Sequence, residues 1–213
     1  MIDGAAVAAA RAALAGGALA LVPTDTVYGL AAALDAPGAV AALYAAKGRD
    51  AGRPSQVLIY APERLEEALR PLPREVASAA RALLPGPATC LVPDPAGRYA
   101  PAAGDAPGSA GIRAPRADGA LAPLAALDLP LVATSANEPG GRDPAALGDV
   151  EPAIRRAVGV ELDAGRLPGT ASAVVDLRPL AGGGPALLVR LGLDPAAVER
   201  ALAALGLPLR RAG

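Results

Sequence analysis

Apolar and polar positions recur along this chain with two different periods, and the switches between them divide it into helices and strands. Asp3 stands as an N-cap before an apolar helical stretch over 4–15, which Gly16-Gly17 ends. A continuous apolar run at 18–22 reads as a buried strand stopped by Pro23. The polar turn Thr24-Asp25-Thr26 follows, then Val27-Tyr28-Gly29-Leu30. Pro37 is placed to open a helix reaching about Ala46, whose end delivers Lys47-Gly48-Arg49. Further on, the pattern predicts a strand over 56–60, helices over 62–70 and 73–84, and a strand over 88–92 after Pro85-Gly86-Pro87. The Pro/Gly/Ala-rich stretch 93–109 reads as a long surface loop. A strand at 110–113, a helix at 118–127 and a strand at 129–133 come next, then a Gly/Pro-rich loop at 138–144. Weak helices, strands near 158–162, 172–177 and 186–191, and a helix over 194–204 complete the pattern. Helices alternating with strands predict an α/β architecture in two or three layers. The chain is expected to form one domain over 1–213, with no internal repeat and no linker.

Composition narrows the chemistry. Apolar residues make up 53% of the chain but aromatics only 2%, with no Phe or Trp, so the core must be built from Leu, Val, Ile and Ala. A formal charge of -1 gives no general pull toward nucleic acid, and four tyrosines offer few stacking platforms for single strands. A single cysteine, Cys90, excludes an internal disulfide and a cysteine-cluster metal site; in Thr89-Cys90-Leu91-Val92 it reads as a small buried hydrophobe. The absence of histidine removes zinc-histidine sites and histidine acid–base catalysis. What remains is arginine, lysine, carboxylates, hydroxyls, backbone amides or a bound ion such as magnesium. The N-terminal stretch lacks a basic leader, and no apolar run approaches the ~18 residues of a membrane span, so a soluble, cytoplasmic protein is expected.

Against this bias two residues stand out. Lys47 is the one lysine beside nineteen arginines, and Asn137 is the one asparagine. Each sits in a polar cluster after an apolar element: Lys47-Gly48-Arg49, and Thr134-Ser135-Ala136-Asn137 after the strand at 129–133. In open α/β sheets ligands bind beyond the carboxyl ends of strands. Neither GxxxxGK[ST] nor GxGxxG is present in the right context, so a P-loop and a dinucleotide fingerprint are excluded. Lys47, Arg49, Arg53, Arg113 and Arg190 are candidates for a basic pocket: arginine grips carboxylate or phosphate through paired hydrogen bonds, and lysine acts as a point charge. The plainer reading of the same residues is solvated arginines and capping turns.

The motifs taken together resemble a known family. Pro23-Thr24-Asp25-Thr26-Val27-Tyr28-Gly29-Leu30, Lys47-Gly48-Arg49, Pro85-Gly86-Pro87-Ala88-Thr89, Ile112-Arg113-Ala114-Pro115, Ser135-Ala136-Asn137 and Leu188-Val189-Arg190-Leu191-Gly192 are similar, in order and spacing, to the YrdC/TsaC family of threonylcarbamoyl-AMP synthases, in its short form. The resemblance implies an α/β fold with a twisted mixed sheet flanked by helices around a positively charged cavity. It implies condensation of L-threonine, bicarbonate and ATP to threonylcarbamoyl-adenylate and pyrophosphate with magnesium, a nucleotidyl transfer. Partner proteins of the tRNA threonylcarbamoylation pathway then pass the group to the adenosine at tRNA position 37. It also implies residue roles. Lys47 and Arg49 hold the ATP phosphates catalytically, with Arg53 beside them. Thr26, Arg113 and the Ala133 backbone bind threonine. Ser109, Ser135, Asn137 and Arg190 bind nucleotide, Asn137 also through the phosphate-bound magnesium.

The chain departs from the family pattern at several points. Asp50 stands for a proline, Ser55 for a leucine, Asp143 for a nucleotide-contacting serine and Ala173 for a substrate-contacting threonine, while Leu58 occupies the place of a histidine found in some members. Two other readings follow: a divergent member with altered substrate use, and a double-stranded RNA-binding or ribosome-maturation module with weak RNA binding.

Overall fold

In the computed structural model, which describes residues 2–212, apolar strands pair into one sheet whose two faces are divided by side-chain alternation. The helices are α1 (Gly4–Ala15), α2 (Pro37–Lys47), α3 (Pro62–Leu69), α4 (Arg74–Leu83), α5 (Ala100–Ala103), α6 (Pro152–Ala157) and α7 (Pro195–Ala204). The strands are β1 (Ala20–Pro23), β2 (Tyr28–Ala33), β3 (Gln56–Leu58), β4 (Ala88–Pro93), β5 (Ser109–Arg113), β6 (Leu131–Ser135), β7 (Val160–Glu161), β8 (Ala173–Asp176), β9 (Ala186–Arg190) and β10 (Leu209–Arg211). They lie in the order β10-β9-β8-β4-β5-β3-β6-β2-β1-β7. The sheet is mixed: β3 runs parallel to β5, β4 to β8, β1 to β7 and β9 to β10, while the remaining neighbours are antiparallel.

One face is covered along its length. Tyr28, Leu30, Val57, Cys90, Ile112, Val132 and Val175 point into a core completed by Leu43 of α2, Leu69 of α3, Val76 and Ala80 of α4, Ile154 of α6 and Leu202 of α7. On the other face a smaller core joins Ala20, Val22, Ala31, Ala33, Leu58 and Leu131 to Val7, Ala10 and Leu14 of α1 and to Leu121 and Leu124 of a 3-10 helix, Gly119–Ala126. That second core stops short of β4, β5 and β8. There the inward positions Thr89, Leu91, Gly111, Arg113 and Val174 floor a cavity of about 340 Å³.

Most elements lie within a few residues of expectation. The stretch 118–127 holds a 3-10 rather than an α-helix, Gly119–Ala126, with Pro123 inside it, where the ring disfavours a continuous α-helix. The long loop at 93–109 contains α5 and the first residue of β5. β2 and β10 were not expected as strands. β2 ends in Leu30-Ala31-Ala32-Ala33, alanine-rich and buried throughout, so it has no alternation to read.

Candidate active site

Local structure places the polar residues before any tertiary contact does. α2 ends because Gly48 adopts φ +60°, a left-handed cap that returns Gly48 N–H to Ala45 O and Arg49 N–H to Tyr44 O. This reversal leaves Lys47 buried, with 4% of its surface exposed, and sends Arg49 to the cavity wall. Lys47 Nζ donates to Ser135 O at 2.6 Å and also to Asn137 O and Asn137 Oδ1. The Ser135 hydroxyl donates to Asn137 Oδ1 at 2.7 Å, while Asn137 Nδ2 donates to Gly141 O at 2.7 Å and to Asp143 Oδ1 at 3.3 Å. The two rare residues therefore meet: the only lysine ties down the turn that carries the only asparagine. Burial, and then the charge of Arg49, push the Lys47 ammonium down to about 8, against a smaller opposing pull from Asp143.

The turn between β1 and β2 is held by its own threonines. Thr24 Oγ1 donates to Val27 O at 2.7 Å and accepts from Thr26 N–H and Val27 N–H, both at 3.1 Å. The Thr24 and Thr26 hydroxyls are 2.8 Å apart. Thr26, 2% exposed, faces the cavity beside Arg113, 1% exposed, whose Nη2 lies 3.5 Å from Thr26 Oγ1. The Arg113 guanidinium also donates to Gly86 O and to Asp25 Oδ1.

Of the residues singled out from sequence, Thr26, Arg49, Ser109, Arg113, Ala133, Ser135 and Arg190 line the cavity. Lys47 and Asn137 lie behind its wall, joined to it through Ser135 and Asp143. Arg53 is exposed and is not among the lining residues. Arg190 donates to Ser172 O at 2.9 Å.

Thr89, Ser172, Arg178 and Ser55, which carry no role in the sequence pattern, also line the cavity. Thr89 donates to Gln56 Oε1 at 3.1 Å and its hydroxyl is 2.9 Å from that of Ser172. Arg178 holds Asp176 through two nitrogens and reaches Ser109 Oγ at 3.3 Å. Ser55 Oγ and Arg49 Nε, in two residues that line the cavity, are buried without a hydrogen-bond partner among the described residues. Thr89 and Val174 lie within predicted strands, but it is the pairing of Thr89 with Arg113 and with Val174 that puts them on the Arg113 face.

A family model described as "Telomere recombination", covering Sua5, YciO and YrdC proteins, matches residues 12–192. The chain belongs to the Sua5/YciO/YrdC family. A Mycobacterium leprae family member provisionally named threonylcarbamoyl-AMP synthase is 38% identical over 179 residues, 80% of this chain and 77% of that protein. The threonylcarbamoyl-AMP synthase of Pyrococcus abyssi is 33% identical over 165 residues, 76% of this chain and 47% of that protein. Among solved structures, P. abyssi Sua5 complexed with L-threonine superposes with a TM-score of 0.77 at 27% identity, covering 99% of this chain and 60% of that one. The chain thus spans less than two thirds of the length of that Sua5 structure. Escherichia coli YciO, at 18% identity and a TM-score of 0.72, shares the fold.

Proposed function

We propose that the chain is a threonylcarbamoyl-AMP synthase. The observation that carries the reading is Arg113, a guanidinium buried on the cavity floor beside the Thr26 hydroxyl, in a family whose members carry that name. A buried arginine fork suits the carboxylate of an amino acid, and Thr26 and the Ala133 backbone flank it. Arg49, Ser109, Ser135 and Arg190 on the same cavity suit the nucleotide, with Lys47 and Asn137 behind Ser135 and Arg53 at the outer edge of the loop.

The chemistry matches these residue types. Bicarbonate takes up a proton and loses water to give carbon dioxide, and the amine of threonine adds to it and releases a proton, leaving a carbamate. A carbamate oxygen then forms a bond to the α-phosphorus of ATP as the bond from that phosphorus to the bridging oxygen breaks, and pyrophosphate leaves. The reaction is a nucleotidyl transfer, in which charge neutralisation and alignment do most of the work and no nucleophilic side chain is required. Magnesium enters as the counter-ion of ATP. Ser135 and Asp143 would offer it hydroxyl and carboxylate oxygens from the cavity wall. The Asn137 amide oxygen is already engaged by Lys47 and Ser135, so Asn137 acts on the turn rather than on the ion. ATP as a substrate, and a product destined for tRNA, suit a cytoplasmic protein, and no helix among the described residues is long and apolar enough to cross a membrane. Its adenylate product passes to the other proteins of the tRNA threonylcarbamoylation pathway.

Pyrophosphate release from ATP, with magnesium and bicarbonate, tests the reading. Release should require L-threonine and be lost in Lys47→Ala. Release that ignores the amino acid, or that survives the substitution undiminished, contradicts it.

A further inference from the structure

Arg113 is held from outside the cavity by a residue that itself does not line it. Asp25, in the turn between β1 and β2, places Oδ1 against Arg113 Nη2, and its side chain is 14% exposed. Its second oxygen accepts the Arg116 backbone N–H at 3.1 Å, tying the turn to the chain just beyond β5. Gly86 O takes a hydrogen from Arg113 Nη1. The guanidinium has five N–H donors, so these two partners, one on each terminal nitrogen, fix its plane and leave donors for a ligand. Among the described residues, Asp25 supplies the carboxylate within ion-pair reach of Arg113. A buried guanidinium without one would carry an uncompensated charge.

We propose that Asp25 is a positioning residue for amino-acid recognition: it holds the Arg113 fork in the plane that receives the substrate carboxylate. This rests on the assignment of that carboxylate to Arg113 under the proposed function. The sequence put Asp25 between two site threonines yet gave it no task, because its partners lie 88 and 91 positions away.

Asp25→Asn separates positioning from charge and from folding. Asparagine has one acceptor oxygen where aspartate has two: turned toward the Arg116 N–H it keeps the turn tied but faces Arg113 with an N–H₂ that cannot hold it, and turned toward Arg113 it accepts without charge and releases the Arg116 N–H. Charge alone acts the other way: removing a negative group near Arg113 strengthens attraction for a carboxylate. Positioning therefore predicts weaker L-threonine binding, and electrostatics alone predicts tighter binding.

Calorimetry of L-threonine and of ATP, each titrated separately into wild type, Asp25→Asn, Asp25→Glu and Arg113→Lys, reads the difference. Asp25→Asn should bind L-threonine on the order of tenfold more weakly. Its ATP affinity should stay within about twofold, as expected for sites that do not share partners. Asp25→Glu, which keeps the carboxylate, should recover part of the loss. Wild-type or tighter threonine binding by Asp25→Asn, while Arg113→Lys binds weakly, overturns the inference and leaves the proposed function standing. Parallel loss of both ligands in Asp25→Asn, with a lowered melting temperature, also overturns it by making the residue structural. Undiminished threonine binding by Arg113→Lys, or none by wild type, removes the carboxylate assignment and the inference with it.

Discussion

Single side chains set the chemistry of this cavity, and burial sets what they can do. Lys47 lies behind the wall with its ammonium pushed down to about 8. The folded value lies below the unfolded one, so the folded protein releases this proton first as pH rises. The charge that draws the Ser135–Asn137 turn is then lost through about pH 8. ATP affinity should therefore fall between about pH 7 and about pH 9, and a Lys47→Arg variant, which stays charged, should lack that step. Titration calorimetry at several pH values checks this. Truncating Arg113 to alanine leaves a substrate carboxylate and Asp25 unpaired, and should cost on the order of 2–5 kcal/mol in threonine binding. Cys90 gives the opposite case, a reactive group kept inert: burial pushes its thiol up to about 12, so a thiol reagent should label it only as the protein unfolds. The composition exposed Lys47 and Asn137 as residues that a strong Ala/Arg bias had spared, but not that they touch each other. That contact spans 90 positions, and no local pattern encodes it.

Among the elements, two glycines decide how the site is presented. Gly48 caps α2 in the left-handed region, where an alanine is disfavoured by about 1 kcal/mol or more. Gly48→Ala should lower stability by about that amount in denaturant melts, and should loosen Arg49. Gly111 lies in β5 on the cavity floor, and a Cβ there would meet Thr89 Cγ2 at 3.4 Å and Leu91 Cδ2 at 3.5 Å, ordinary contact distances. Gly111→Val should therefore fold, helped by the strand preference of a branched side chain, yet fill the space a substrate needs. Retained melting behaviour with lost ligand binding is the expected pair of results. Elements were legible where apolar runs were bounded by Gly or Pro, as in α2, α4 and β4. They were not legible where alanine filled both faces, as in β2, or where pairing alone defines the strand, as in β10.

For the molecule as a whole, the defining arrangement is one mixed sheet covered fully on one face and only partly on the other. α1 and the 3-10 helix protect the β1–β2–β6 end, and the unprotected floor over β4, β5 and β8 becomes the cavity. The alternation of helices and strands predicted the α/β class, but the strand order was beyond reach, because β4 and β8 pair across some eighty intervening residues. Asp143, which replaces a serine of the family pattern, faces the same cavity as Arg49 and Ser135. Its place beside a nucleotide's phosphates is tolerable when magnesium accompanies them, so activity should vanish on chelation and return with added magnesium. On the proposed function, threonine, bicarbonate and the AMP part of ATP are joined in this cavity as pyrophosphate leaves. The most direct test supplies isotopically labelled bicarbonate with ATP, magnesium and either L-threonine or L-valine, and follows the label by mass spectrometry. The account predicts labelled threonylcarbamoyl-adenylate from threonine, absent in Arg113→Ala. Label that never enters an adenylate, or that enters one equally from valine, would contradict it.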